Sequence, residues 1–291
     1  MILSGAELSR TMREEIAGEV AELGRDGVVP GLAVVLVGSD PASEVYVRMK
    51  AQACKKVGME GRTLNFPPGI GRDELFGVID GLNADPAVHG ILVQLPLPEH
   101  LNSKDVLERI RPSKDVDGFH PLNVGRAFVG DPRGFAPATP AGIMELINRF
   151  DIPTRGKHVV IVGRSLIVSK PLASLLMAPG PDATVTLTHK YTTDLSAHTR
   201  MADILIVAVG KPGLITADMV KPGATVIDVG TTRVPDETCS NGYRITGDVD
   251  FEEVSKVAGA ITPVPGGVGP MTITMLLRNT LEAAKRARSA A

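Results

Sequence analysis

The pattern of apolar and polar residues predicts short buried strands that alternate with helices. Residues 32–37 and 90–98 form apolar runs bounded by turn residues, which is typical of strands covered on both faces. Further apolar runs predict strands at residues 63–66, 157–163, 183–188, 203–210, 224–230, 244–248 and 259–262. This order of elements predicts an α/β fold whose second half contains a parallel, doubly wound sheet.

Helical spacing of apolar residues and helix-start signals mark the segments between these strands. Ser4 and Glu7 form a capping box before the first helix, and Asp40 followed by Pro41 predicts the start of a second helix. Residues 125–137 lack a periodic pattern and are predicted to be irregular. The remaining helices are predicted at residues 73–83, 103–110 and 141–150 and from 271 to about 288.

The stretch from Lys157 to Pro171 combines a strand, a glycine turn and a helix start. This geometry presents free backbone N–H groups to a phosphate. Gly163 ends the strand, and either Ser165 or Ser169 could cap the following helix. The full G-x-G-x-x-G pattern is missing, so the turn by itself is as typical of an ordinary strand–helix corner as of a dinucleotide site.

Basic residues follow the next predicted strand, where a dinucleotide fold binds the adenosine ribose. His189 and Lys190 stand where an acidic residue would favour NAD, and Arg164 lies in the glycine turn. Three cationic or potentially cationic groups suit a ribose 2′-phosphate, so the sequence favours NADP over NAD. The alternative is that His189 and Lys190 are ordinary surface residues.

Four polar residues in the N-terminal half are candidates for chemistry. Tyr46 and Lys50 lie four residues apart, so they share one face of the second helix. Gln94 lies at the carboxyl end of an apolar run, where ligands collect in open α/β sheets. Asp117 lies in a turn-rich loop, where a carboxylate could bind a cationic or amidine-like group. Each also has an ordinary interpretation, as a solvated lysine beside a half-buried tyrosine, a solvent-facing strand end or a turn aspartate.

Composition narrows the class of protein. The 291 residues carry a net charge of −2 without a basic run, which argues against a nucleic-acid partner. Cys54 and Cys239 are far apart and form no metal or redox motif, so we expect a reducing compartment and no metal site. There is no apolar run of membrane-spanning length and no signal-peptide pattern, so we expect a cytoplasmic protein without a membrane partner.

Taken together, five stretches resemble one family over nearly the whole chain. They are Tyr46–Lys50, Val93–Pro98, Lys114–Gly118, Gly163–Ser165 and the proline- and glycine-rich stretch Thr262–Thr272. In this order they resemble the FolD family of bifunctional methylenetetrahydrofolate dehydrogenase/methenyltetrahydrofolate cyclohydrolases. The chain departs from the family pattern at Ala138, Ser169, Lys190 and Thr231, where cysteine, glycine, serine and isoleucine are usual.

The resemblance implies two lobes with a cleft between them. It implies an N-terminal three-layer α/β domain, formed by residues 1–138 plus 272–291, for the folate chemistry. A Rossmann-like, doubly wound domain of residues 139–271 would bind NADP. The resemblance also implies a homodimer that acts in one-carbon metabolism on a small-molecule folate substrate.

The resemblance further implies roles for individual residues. Lys50 would be the catalytic lysine, steadied by Gln94, while Tyr46 would stack on the pterin and Asp117 would pair with its amino and ring N–H edge. The substrate side would also include Val93, Leu95, Pro265, Gly266, Gly267 and Gly269. NADP would be held by Gly163, Arg164, Ser165, His189, Lys190 and Thr231.

Three other functions remain open at this point. The first is a dehydrogenase that has lost hydrolysis, which the presence of Lys50, Gln94 and Asp117 disfavours. The second is another NADP dehydrogenase with two lobes, such as a shikimate or amino-acid dehydrogenase, which a substrate panel would separate. The third is a non-catalytic nucleotide-sensing module, which would bind NADP without turnover.

Overall fold

A computed structural model of the chain describes residues 1–239 and 242–290 and divides it into two compact units. The N-terminal unit comprises Arg10–Ala138 with Ile273–Ala291, and the C-terminal unit comprises Met1–Ser9 with Thr139–Thr272. The first nine residues therefore group with the C-terminal unit, whereas the sequence places them with residues 10–138. The reason is main-chain pairing, because Leu3 N donates to Ile261 O at 2.8 Å and Ala6 N donates to Gly266 O at 2.8 Å.

The N-terminal unit is built on a three-stranded parallel sheet. Its strands are β1 (Gly31–Val37), β2 (Glu60–Phe66) and β3 (Gly90–Val93), in the order β2-β1-β3. All seven residues of the central strand β1 are buried, as predicted for a strand covered on both faces. The strand predicted at residues 90–98 is too long, because Pro96 and Pro98 have no N–H to continue a ladder.

Helices cover this sheet, and one of them was not predicted. Asp40 caps the second helix by accepting from Ser43 N at 2.8 Å. The prediction of irregular structure from residue 125 is wrong at its start, because Pro121 and a capping His120 begin a helix that continues to Phe128. The helices are α1 (Gly5–Arg25), α2 (Pro41–Lys56), α3 (Arg72–Ala84), α4 (Ser103–Arg109) and α5 (Pro121–Phe128).

The C-terminal unit is built on a five-stranded parallel sheet, which confirms the predicted doubly wound architecture. Its strands β4 (His158–Val162), β5 (Thr184–Thr188), β6 (Ile204–Val207), β7 (Thr225–Asp228) and β10 (Ala260–Ile261) lie in the order β10-β7-β6-β4-β5. The strand order reverses at β4, which lies between β5 and β6. In such sheets a ligand binds outside the carboxyl ends of the strands at this switch point.

The strand predicted at residues 244–248 belongs instead to a separate hairpin. In it β8 (Thr232–Pro235) pairs antiparallel with β9 (Tyr243–Thr246). The helices of the C-terminal unit are α6 (Ala138–Arg149), α7 (Ser169–Met177), α8 (Leu195–Thr199), α9 (Phe251–Val254) and the start of α10 (Val268–Ala290).

The greater part of α10 packs within the N-terminal unit. There Asn279 Nδ2 donates to Val116 O at 2.8 Å, and Lys285 pairs with Glu19 at 2.6 Å. No helix in the described parts of the chain is both long enough and apolar enough to span a membrane.

Candidate active site

The amine of Lys50 meets the side chain of Gln94 in the N-terminal unit. Lys50 Nζ donates to Gln94 Oε1 at 3.0 Å, across 44 positions of sequence. Gln94 follows β3 and is held there because its backbone N–H donates to Val35 O of the neighbouring β1 at 2.9 Å. Its Nε2 donates to Leu95 O at 2.9 Å, so the amide is oriented with its oxygen toward the amine. The structure therefore brings together the predicted lysine and glutamine.

The environment of Lys50 favours its neutral form. Burial lowers the pKa of the ammonium, and the negative charge of Asp117 partly opposes that effect. Gln94 accepts a hydrogen bond from the amine without adding a second negative charge. At a given pH a larger fraction of the Lys50 side chain is therefore neutral than in an exposed lysine, and the neutral amine can accept a proton.

Asp117 is the charged neighbour of this amine. Burial raises the pKa of Asp117 to about 6, Lys50 lowers it, and Asp115 raises it further. The turn that holds Asp117 requires Gly118, whose φ is +75° and where a Cβ would come within 2.7 Å of Pro137 N. Burial disfavours the charged form of both side chains. The charge of Asp117 partly offsets this effect on Lys50, and the charge of Lys50 partly offsets it on Asp117.

Asp115 shapes the loop that carries Asp117, a role that the sequence analysis did not identify. Asp115 is buried and accepts from His120 N at 2.8 Å, Phe119 N at 3.3 Å and Asn123 Nδ2 at 2.9 Å. Burial raises the pKa of Asp115 despite these donors. The sequence signal was available, since an aspartate two residues before Asp117 precedes a histidine and a proline that start a helix.

The other predicted substrate-side residues of the N-terminal unit lie next to this pair in sequence. Tyr46 is one turn before Lys50 on α2, and 46% of its surface is exposed, so its ring is available for contact. Val93 is the buried last residue of β3, and half-buried Leu95 follows Gln94.

The glycine turn of the C-terminal unit lies at the switch point of its sheet. Gly163 has φ +134°, and a Cβ there would lie 2.5 Å from Ala208 O and 2.9 Å from Ser169 Oγ. Neither candidate serine is the N-cap of α7, because that position is Val168, which provides no side-chain cap; Ser165 Oγ instead accepts from Val168 N at 3.1 Å and Ser169 N at 3.2 Å and so stabilises the turn before the helix. The turn therefore needs glycine for backbone clearance at the position that directly follows β4.

The predicted cationic residues lie beside this turn. Val162 and Thr188 are paired in the register of β4 and β5, so Arg164 and Lys190 leave neighbouring strand ends. Neither Arg164 nor Lys190 forms an ion pair with an acidic side chain in the described parts of the chain. Exposed cations without acidic partners, beside a helix N-terminus, fit the phosphates of a dinucleotide, including a 2′-phosphate.

Two glycines of the proline- and glycine-rich stretch are required by the backbone, Gly266 by its positive φ and Gly267 by a close approach of the chain. Gly266 has φ +103°, and a Cβ on Gly267 would lie 2.5 Å from Pro263 O. Pro265 precedes these two glycines, Gly269 lies in the first turn of α10, and Thr231 is exposed just before β8. Roles for these residues toward substrate or cofactor stay predictions.

A second pair of acidic residues, which the sequence analysis missed, lies at the carboxyl edge of the C-terminal sheet. Asp228 accepts from Gly230 N at 2.9 Å, Asp248 N at 3.0 Å and Val249 N at 2.9 Å. Burial raises the pKa of Asp228 to about 6. The signal was an acidic residue at the end of the short strand Thr225–Asp228, directly before Val229 and Gly230.

Asp248 binds the neighbouring loop in the same way. Its Oδ2 accepts from Val209 N at 2.7 Å and Gly210 N at 2.9 Å, just beyond β6. Its buried Oδ1 has no hydrogen-bond partner and lies 2.5 Å from where a Cβ on Gly230 would stand. In the described parts of the chain, no group of three or more His, Cys, Asp or Glu side chains is placed to hold a metal ion.

Comparison with known proteins gives matches over both units. Residues 3–117 match the catalytic domain of the tetrahydrofolate dehydrogenase/cyclohydrolase family, and residues 137–288 match its NAD(P)-binding domain. Bifunctional protein FolD 1 of Myxococcus xanthus is 68% identical over 287 residues, which cover 99% of this chain and 98% of that protein.

Two solved structures extend the likeness to three dimensions. The bifunctional enzyme FolD of Campylobacter jejuni is 48% identical, with a TM-score of 0.94 over 98% of this chain and 99% of that one. The N5,N10-methylenetetrahydrofolate dehydrogenase-cyclohydrolase of Trypanosoma brucei, complexed with NADP and an inhibitor, is 39% identical with a TM-score of 0.94, covering 99% and 98% of the two chains. On this evidence the chain is an enzyme that belongs to the tetrahydrofolate dehydrogenase/cyclohydrolase family, with both the catalytic and the NAD(P)-binding domain of that family present.

Proposed function

We propose that this enzyme oxidises 5,10-methylenetetrahydrofolate to the 5,10-methenyl form with NADP⁺ and then hydrolyses that product to 10-formyltetrahydrofolate. Family membership supplies the two classes of reaction. The observation that carries the assignment to residues is the 3.0 Å hydrogen bond from Lys50 Nζ to Gln94 Oε1, on an amine whose pKa is lowered by burial.

Lys50 acts as the general base of the hydrolysis. The neutral amine accepts a proton from water as the water oxygen bonds to the methenyl carbon, which neutralises the substrate cation. The ammonium then gives its proton to N5 as the bond from carbon to N5 breaks, and the new hydroxyl loses its proton to leave the formyl carbonyl. One proton is released overall, so Lys50 returns to its starting state.

The neighbours of Lys50 adjust this base without replacing it. Gln94 directs the amine through a neutral acceptor, so it positions Nζ without stabilising the ammonium as a carboxylate would. Asp117 pairs with the amino and N–H edge of the pterin, and its charge limits how far the pKa of Lys50 falls. Tyr46 offers an exposed ring one helical turn away, on which a flat pterin can stack.

In the first reaction NADP⁺ supplies the hydride acceptor when it is bound. The chain contributes binding and orientation. The exposed cations Arg164 and Lys190, which leave neighbouring strand ends, hold the phosphates. A 2′-phosphate suits this set because β5 ends without a carboxylate that would repel it.

The experiment compares Lys50→Met with wild type in both reactions. Appearance and decay of the methenyl absorbance with methylenetetrahydrofolate and NADP⁺ report oxidation and hydrolysis in one assay. We expect Lys50→Met to lose hydrolysis by at least about a hundredfold, since a positioned base contributes roughly 10²–10⁴, while oxidation stays measurable. Lys56→Met, an exposed lysine of the same helix, is the matched control.

Hydrolysis that survives in Lys50→Met at the rate of the control would refute the role of Lys50.

For the cofactor, we expect Arg164→Ala to raise the KM for NADP⁺ far more than the KM for NAD⁺. An equal rise for both would remove the 2′-phosphate from the proposal. The homodimer implied by the resemblance and the cytoplasmic location expected from the sequence stay predictions, the first of them open to sedimentation analysis.

A further inference from the structure

The ring of Tyr191 lies close to both cations of the proposed NADP site. The guanidinium carbon of Arg164 lies 5.8 Å from the ring centroid, and the ammonium of Lys190 lies 4.9 Å from it. Both distances fall within the range of cation–π attraction. Tyr191 is nevertheless 71% exposed, so burial of the ring does not explain its place.

A tight turn fixes the direction in which Tyr191 leaves the chain. Thr192 N donates to His189 O at 2.8 Å, and His189 N donates to Thr192 Oγ1 at 2.9 Å, which closes the turn directly after β5. Within it Tyr191 N donates to His189 Nδ1 at 3.2 Å, and the two rings meet edge to face at 6.1 Å. His189 is therefore committed to the turn, and the ring of Tyr191 is held toward the glycine turn.

The ring of Tyr191 offsets the repulsion between two neighbouring cations. Arg164 and Lys190 carry like charges, and neither has an acidic partner in the described residues that would keep them near each other. The electron-rich face of one aromatic ring attracts both cations and adds no negative charge. A carboxylate in the same place would also gather them, but it would repel a phosphate.

We propose that Tyr191 is a positioning residue that gives this site its preference for a ribose 2′-phosphomonoester over a free ribose 2′-hydroxyl. It acts by holding Arg164, which follows β4, and Lys190, which follows β5, near each other before the ligand arrives. The inference rests on the proposed NADP site, and it adds a residue that neither the family resemblance nor the cationic pattern identifies.

The test measures binding and does not depend on turnover. Adenosine 2′,5′-bisphosphate and adenosine 5′-monophosphate differ by the 2′-phosphate, and calorimetry gives their Kd values for the full-length protein. We expect Tyr191→Leu to weaken the bisphosphate about fivefold, which corresponds to about 1 kcal/mol, and to change the monophosphate less than about twofold. Tyr191→Phe keeps the ring face and should bind both ligands as wild type does.

Tyr243→Leu is the matched control, because it removes a cation–π contact with Arg233 at 4.8 Å elsewhere in the same unit. We expect it to leave both Kd values unchanged. Equal weakening of the two ligands in Tyr191→Leu, or no weakening of either, would overturn the positioning role. Arg164→Ala separates the two proposals: if it also leaves the bisphosphate Kd unchanged, the NADP site itself is misassigned, whereas a loss confined to Arg164→Ala refutes Tyr191 alone.

Discussion

Each unit has a pair of interacting ionisable side chains near the carboxyl edge of its parallel sheet, Lys50 with Asp117 in the N-terminal unit and Asp228 with Asp248 in the C-terminal unit. In the N-terminal unit Lys50 donates to one neutral side chain, that of Gln94, and faces the charge of Asp117. In the C-terminal unit Asp228 and Asp248 accept five hydrogen bonds from backbone N–H groups of three loops. The contacts of Lys50 are therefore with side chains, whereas those of Asp228 and Asp248 are with backbone N–H groups.

A shifted pKa does not by itself mark a catalytic group. Burial raises the pKa of Asp117 and of Asp228 alike, to about 6 in both cases. Asp228 is only 3% exposed and its oxygens are taken up by backbone donors, so it joins loops. Lys50 is bound instead to one side chain, that of Gln94, so it can change protonation without breaking the fold. We therefore expect substitutions at the first pair to change rates and substitutions at the second to change stability.

The largest effect is expected at Gly247, which lies against the carboxylate of Asp228. A Cβ there would stand 1.9 Å from Asp228 Oδ2, far inside contact distance, and the carboxylate is fixed by backbone donors. We expect Gly247→Ala to lower the free energy of unfolding by roughly 3 kcal/mol or more, measured by urea denaturation. Gly77→Ala, in open space on α3, should be neutral or slightly stabilising. Equal stability of the two variants would mean that the loops of the C-terminal unit are not tied together as described.

A smaller loss of stability is expected at Asp248. Asp248→Ala removes the acceptor of two part-buried N–H groups, those of Val209 and Gly210, and we expect a cost of roughly 2 kcal/mol at about 1 kcal/mol for each lost hydrogen bond. Asp26→Ala, which removes an exposed partner of Arg288, is the control and should cost less than about 1 kcal/mol. A cost at Asp248 no larger than at Asp26 would contradict the structural role of the pair.

At the N-terminal pair the expected effect is on rate. Gln94→Leu removes the acceptor that directs Lys50 Nζ, and we expect hydrolysis to slow roughly tenfold or more with little change in the urea midpoint. Gln52→Leu changes an exposed glutamine of α2 and should leave both quantities unchanged. If Gln94→Leu lost stability but kept its rate of hydrolysis, the two edges would not differ as proposed.

The smallest effect is a shift in pH dependence. The charge of Asp117 favours the ammonium form of Lys50, so Asp117→Asn lowers the pKa of Lys50 further. Hydrolysis requires the neutral amine and therefore rises with pH through this pKa. We expect the rising limb of kcat/KM for hydrolysis to move to lower pH in Asp117→Asn, whatever the change in its height. Asp105→Asn on α4 should leave the limb in place, and a move to higher pH in Asp117→Asn would contradict the assignment.

Regular elements and the residues beside them could be predicted from the sequence. The apolar runs located the strands because buried parallel strands need continuous apolar residues, and Asp40 with Pro41 marked the start of α2 because capping is local chemistry. Gln94 was identifiable as a candidate because a polar residue at the end of an apolar strand faces the edge where ligands bind.

Other features depend on partners that are distant in sequence. The pairing of Asp228 with the N–H groups of Asp248 and Val249 joins positions about twenty residues apart, and no local pattern encodes it. The helix α5 was missed because its sequence contains glycine and lacks a long periodic stripe, while its cap is a histidine, an unusual capping residue. The aromatic contact of Tyr191 with two cations likewise needs the register of β4 and β5.

Burial lowers the pKa of the Lys50 amine, and on that shift rests its proposed role as a base, so a titration of this side chain is the decisive measurement. NMR of the full-length protein with isotopically labelled lysine, with Lys50→Met to assign the signal, gives the pKa of this side chain. The account predicts a pKa below the ordinary lysine value of 10.5, and a lower one still in Asp117→Asn. A pKa for Lys50 at or above 10.5 would contradict the account, because the amine would then be an ordinary ammonium unable to take a proton from water.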